Sequence, residues 1–125
     1  MIAKTFHISN YKELNYALPT DSLLNPEKVY LGLTSPRCKD YELYVKEGDT
    51  VKVGQVVAKK SCGFFDLPVH ATVSGTVSET IKKWSGMGVQ DTFLEIINDF
   101  NETLDDSIVT RSDESLDALT KEELI

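Results

Sequence analysis

The sequence predicts a mainly β protein, a small sandwich or barrel. Apolar and polar residues alternate over short runs, and glycine turns separate the runs. Two segments, Gly54-Gln55-Val56 and Gly75-Thr76-Val77, look like two copies of one hairpin device. Many short strands at close spacing favour a sandwich or barrel over an alternating βα sheet.

The elements follow in order. In residues 1–26, Phe6, Ile8 and Tyr11 are placed to edge a sheet, residues 12–18 suit a short helical turn, and Pro19 interrupts both. Residues 28–33 alternate as a strand, and Ser35-Pro36-Arg37 is a turn. Residues 42–46 form the next strand, with Leu43 and Val45 on one face. Glu47-Gly48-Asp49 reverses the chain, after which Val51 and Val53 point opposite to Lys52. Strands are expected at 55–59, 69–73, 76–82 and 92–97, with an aromatic connection at 61–66 and a loop at 84–88. Val45, Val51, Val53, Val56, Val73, Val77 and Leu94 are the expected core. After Asn98 the pattern changes. Residues 99–110 read as a connector, and Ser112 caps a short helix with Leu116 and Leu119 on one face. Thr120-Lys121-Glu122-Glu123 is a capping box. A helix that short cannot hold itself together, which points to an excised domain that continues; a natural, frayed end is the alternative. The expected division is residues 1–98 as one β domain with an N-terminal extension, and 99–125 as an acidic connector leading to a downstream domain.

At 125 residues the chain is one domain with a modest core. Its 13 basic and 20 acidic side chains leave a net charge of -7. That argues against nucleic acid and against a polybasic membrane patch. No apolar run approaches the roughly 18–20 residues of a membrane span, and no secretory signal is visible. Cys38 and Cys62 build no disulfide framework, so two reduced thiols in a cytosolic protein are expected.

The residues give little sign of chemistry. Iron–sulfur ligation of the Cys-x-x-Cys-x-x-Cys type is absent. Gly86-Met87-Gly88 lacks the third glycine and following helix of a nucleotide-binding loop. His70 would need His7, Cys38 or Cys62 as co-ligands, at no zinc spacing, so it reads as a strand histidine bonded to backbone. Cys62 has no helix N-terminus or nearby second cysteine to activate it and reads as an inert loop or core thiol.

The stretch Gly48-Asp49-Thr50-Val51-Lys52-Val53-Gly54-Gln55, answered by Val73-Ser74-Gly75-Thr76-Val77, resembles lipoyl and biotinyl domains. Those domains display a cofactor on a lysine at a hairpin tip, and the matching position here is Phe64. Gly63-Phe64, Pro68-Val69-His70, the entry at 26–33 and Asn10-Tyr11-Lys12-Glu13-Leu14 narrow the match. Together they resemble the N-terminal domain of the C subunit of the Rnf electron-transport complex, the RnfC family. The A subunit of sodium-translocating NADH:quinone reductase is a more distant match. Arg37-Cys38-Lys39-Asp40-Tyr41 and Ala71-Thr72 depart from that family's pattern.

The resemblance implies a barrel-sandwich hybrid with a short helical C-terminal tail. It implies NADH-linked electron transfer through FMN and 4Fe-4S centres elsewhere in a longer protein, on the cytoplasmic face of a membrane complex. This domain would then be non-catalytic, carry no cofactor, and dock the downstream domain or other subunits. The candidate docking residues are Phe64, Phe65, Pro68 and His70. One of the two aromatic rings is expected to plug the open end of the sandwich and the other to protrude as a docking knob. Two other readings stand beside this one: a carrier domain modified on Lys59 or Lys60, and a stand-alone adaptor.

Overall fold

The computed structural model describes residues 17–22 and 25–123. Seven strands are present among them: β1 Lys28–Gly32, β2 Asp40–Leu43, β3 Thr50–Val51, β4 Val56–Ser61, β5 Asp66–His70, β6 Gly75–Trp84 and β7 Gln90–Asn98. One short helix follows, α1 Asp113–Asp117. The strands form a four-stranded sheet in the order β1-β7-β6-β3 and a three-stranded sheet in the order β2-β4-β5. Every strand pairing is antiparallel. The architecture is therefore the mainly β, two-sheet one that the alternation predicts. The expectations for Phe6, Ile8, Tyr11 and most of residues 12–18 lie outside the described residues.

The chain crosses between the sheets through two turns of one design. Asp49 N–H donates to Lys46 O (3.1 Å), and Gln55 N–H donates to Lys52 O (3.1 Å). In return the Lys46 amide donates to Asp49 Oδ2 (2.8 Å) and the Lys52 amide to Gln55 Oε1 (3.0 Å). The third residue of each turn is a glycine with positive φ, Gly48 at 87° and Gly54 at 85°. That is the backbone of a type II turn, which reserves the position for glycine. The repeated device is thus Lys-x-Gly-Asp/Gln, not the Gly-x-Val pair that the sequence suggests. Val51 and Val57, each two residues after a turn, both point into the core.

The core joins Leu31, Leu33, Val45, Val51, Val57, Ala58, Ala71, Val77, Leu94 and Ile96 across the two sheets. Burying a side chain of this size contributes about 1.5–3 kcal/mol. Of the expected core, Val45, Val51, Val77 and Leu94 are in it, Val73 packs against it, and Val53 is half-buried. Val56 is a correction: it is 38% exposed, whereas Val57 and Ala58 are 0% exposed. A register shift between Val56 and Ala58 against β5 sends two successive residues inward, as a bulge does. Strict alternation would send only one of two neighbouring residues inward, so the bulge is what adds Ala58 beside Val57.

Boundaries move as well. β2 begins earlier than expected, at Asp40, and β5 occupies 66–70 rather than 69–73, so only four residues remain between β4 and β5. The connector after Asn98 does not leave the sandwich at once. Asp99 accepts from Ser74 Oγ (2.6 Å), and Ser74 Oγ accepts from the Thr103 amide (3.1 Å). Val53 and Leu104 form a parallel bridge, with Val53 N–H on Thr103 O (2.8 Å) and Asp105 N–H on Val53 O (2.9 Å). Lys52 pairs with Asp106 at 3.1 Å. Beyond that, Ser112 caps α1 by accepting from the Ser115 amide, and Leu116 is exposed, so the helix lacks the packing its Leu116–Leu119 face suggests. At 120–123, Glu123 accepts from the Thr120 amide (2.9 Å). The Thr120 hydroxyl donates to the same carboxylate instead of capping the Glu123 amide, which bonds to Thr120 O.

Candidate docking site at the hairpin tip

β4 and β5 pair from Val56↔His70 to Ser61↔Asp66. The reversal beyond that pair is Cys62-Gly63-Phe64-Phe65, closed by the Cys62 N–H on Phe65 O at 3.0 Å. Gly63 has φ 89°, while Phe64 has no positive φ. A two-residue loop with glycine first and an ordinary residue second is the type II′ hairpin, whose twist matches the strands it joins. The loop therefore presents Phe64 outward. Its side chain is 94% exposed, and Phe65 is 45% exposed. The rings meet edge to face with centroids 4.9 Å apart. Neither ring plugs the sandwich; a two-ring knob stands on the hairpin.

Beside the knob lies an open groove of about 460 Å³ bordered by Pro36, Arg37, Cys38, Cys62, Phe65 and Met87, together with Ser35 and Phe64. Its floor carries a disulfide between Cys38 and Cys62, with Cα atoms 4.3 Å apart. This overturns the expectation of two separate reduced thiols, and of Cys62 as an inert one. The cause is register. Asp40 pairs with Ser61, so the residues just outside that pair are drawn together although 24 positions separate them in sequence.

The other two candidates are elsewhere. His70 sits at the far end of β5, about 13 Å from Asp66 at the rise of a strand. Its Nδ1 lies 2.7 Å from Gly54 O. A carbonyl only accepts, so Nδ1 carries the proton there. This is the backbone-bonded histidine that the residues alone favour. Pro68 is exposed in the middle of β5, an edge strand, where a missing N–H does no harm. The structure brings Phe64 and Phe65 together and leaves Pro68 and His70 out of the knob.

The sequence profile of the RnfC barrel sandwich hybrid domain matches residues 2–100. The chain belongs to the RnfC family. A relative is the C component of the Na(+)-translocating ferredoxin:NAD(+) oxidoreductase complex of Acetobacterium woodii. It is 33% identical over 113 residues, which cover 88% of this chain and 25% of that relative. The chain thus spans a quarter of the length of the curated relative it matches.

In this RnfC domain the lysines named for a carrier role stand inside β4, not at the tip. Lys59 lies between Asp66 and Glu42, each 3.5 Å away. Asp66, with Tyr44 and Glu42 behind it, raises its pKa above the ordinary 10.5, which holds the amine protonated. Nor do the residues of the RnfC domain fit an iron–sulfur cluster. Its two cysteines are bonded to one another, and among the described residues no three His, Cys, Asp or Glu side chains gather as a ligand set. The sequence missed Pro36, Arg37, Cys38 and Met87 as groove residues. Gly86-Met87-Gly88 is visible as a loop, but nothing linear says which hairpin it faces. Elsewhere the RnfC domain buries Glu95, which Lys28 satisfies at 3.0 Å; that hydrogen bond holds the carboxyl below its ordinary 4.5.

Proposed function

We propose that this RnfC domain serves as a non-catalytic docking module within an electron-transfer complex, with Phe64 and Phe65 as its anchor. The observation that carries the reading is a phenylalanine, 94% exposed, at the tip of a two-residue hairpin loop. Exposed aromatics of fixed geometry lose little conformational entropy on binding and are favoured as interface hot spots. The partner is the downstream part of the same protein or another subunit of the complex. NADH-linked chemistry, FMN and 4Fe-4S centres belong, on this reading, to those parts and not to residues 1–125. The cytoplasmic face of the membrane is the matching location; among the described residues no helix is long and apolar enough to cross a membrane.

The test is a binding titration between this chain and the remaining parts of an RnfC-type complex. Phe64→Ala should weaken binding by about tenfold or more, the size of an anchor residue, with the fold intact. Pro68→Ala should leave it within about threefold, since residues outside the central anchor are near-neutral. Equal affinity of the Phe64→Ala variant and the native chain sinks the reading.

A further inference from the structure

We propose that the Cys38–Cys62 bond is a thiol–disulfide exchange site, reduced by a dithiol protein of the Cys-x-x-Cys class entering the groove beside the hairpin tip. The bond lies outside the main hydrophobic cluster. Cys38 is buried, whereas Cys62 is half-buried, and both border the open groove. Of the two residues Cys62 is the more exposed, so the incoming thiolate is assigned to its sulfur. Arg37 precedes Cys38 and borders the same groove. A cation nearby favours the thiolate, and a more acidic leaving thiol departs faster.

Opening the bond leaves the fold in place. β2 and β4 are held by their own ladder from Asp40↔Ser61 to Leu43↔Ala58. What the bond adds is local. It ties the hairpin tip to the 35–38 turn, itself closed by reciprocal backbone bonds of 2.9 and 3.2 Å between Ser35 and Cys38. Reduction removes that tie and frees the platform under Phe64 and Phe65.

The exchange balances with the dithiol alone. Its thiolate attacks Cys62 Sγ, the S–S bond breaks, and the electron pair leaves on Cys38 Sγ, which takes up a proton. The second thiol of the dithiol, as thiolate, then attacks the dithiol's own sulfur in the mixed disulfide. That releases the Cys62 thiolate, which is protonated in turn. Two electrons and two protons pass from the dithiol to this chain, and the dithiol becomes a disulfide.

The experiment uses the oxidised 125-residue chain with no other subunit present, so its outcome is independent of the docking reading. Native chain is mixed with a reduced thioredoxin-type dithiol protein or with glutathione at equal thiol concentration, quenched in acid, alkylated and weighed. The dithiol protein should convert it to the doubly alkylated form at least about ten times faster than glutathione. A dithiol protein lacking its second cysteine should be trapped on Cys62. After reduction the Cys62 amide should exchange about ten times faster, while the Val57 amide in the core keeps its rate. The proposal is overturned if the bond yields to the dithiol protein only in denaturant, if the trapped adduct maps to Cys38, if the Cys62 amide keeps its rate, or if the chain under oxidising buffer carries two alkylatable thiols.

Discussion

The turns at 46–49 and 52–55 are built alike, from a lysine, a glycine with positive φ and a polar side chain that reaches back to the lysine amide. Each also makes the same reciprocal contact with the opposite strand. Gly48 N–H donates to Val77 O while Val77 N–H donates to Asp49 O, both 2.9 Å. Gly54 N–H donates to Ala71 O (2.8 Å) while Ala71 N–H donates to Gln55 O (2.9 Å). Their surroundings differ. A Cβ on Gly48 would meet nothing within 4 Å, whereas one on Gly54 would run into the Ile108 side chain. The first turn stays open to solvent; the second is roofed by the connector through Thr103, Asp105 and Ile108. Local sequence sets a turn, and distant chain decides whether it is covered.

The largest expected effect tests whether the two copies are equivalent. Val51→Asp and Val57→Asp each place an unpaired charge in the core. Such burial costs at least several kcal/mol against a total stability of about 5–15 kcal/mol, so both variants should be unfolded by circular dichroism. Val56→Asp, on the outer side of the bulge, should change stability by less than about 1 kcal/mol. A folded Val57→Asp variant would break the parallel between the turns.

A smaller effect separates the open turn from the covered one. Gly48→Ala should cost about 1–2 kcal/mol, because only the left-handed backbone is strained. Gly54→Ala should cost more, since Ile108 must also move aside. In chemical denaturation, the excess should vanish when Gly54→Ala is made in an Ile108→Ala background, as a double-mutant cycle reads contact between two sites. If the excess survives there, the roof is not what distinguishes the turns.

The smallest effect is pH-dependent and confined to the roof. Asp105 is held below its ordinary 3.8 by hydrogen bonds from the Ser107 hydroxyl and amide, with help from Lys52. A depressed carboxyl contributes stability that is complete above its unfolded pKa and is lost as pH falls through its folded one. Acidification from about pH 4 downward should therefore loosen the connector. Amide exchange, corrected for its intrinsic pH dependence, should rise at Val53 and Asp105 before it rises at Gly48. Asp105→Asn should abolish that difference.

The candidate site is legible in the sequence only in part. Phe64 stands out in the sequence because Gly63 precedes it and because the resemblance to lipoyl domains sets it against their lysine position; both signals are local. Its exposure follows from a type II′ loop that depends on Gly63 alone. Cys38 joining Cys62, and Met87 bordering one groove with Phe65, arise from the β2–β4 register and from where two separate loops lie, which leave no trace in residue spacing. His70 and Pro68 group with the rings only through nearness in sequence. A strand carries residues steadily away from its turn, so nearness in sequence there does not become nearness in space.

The sequence by itself determined the β architecture, the reversal at Glu47-Gly48-Asp49, the Ser112 cap and the place of the hairpin tip. Each of these rests on a few neighbouring residues: alternation, a glycine where φ is positive, or a hydroxyl before a helix. Tertiary structure alone decided which of Val56 and Val57 is core, that Cys38 and Cys62 are bonded, and that the connector returns to roof one turn. Those outcomes depend on a bulge and on strand registers. They are settled by which pairing of distant segments buries the most apolar surface while satisfying the backbone.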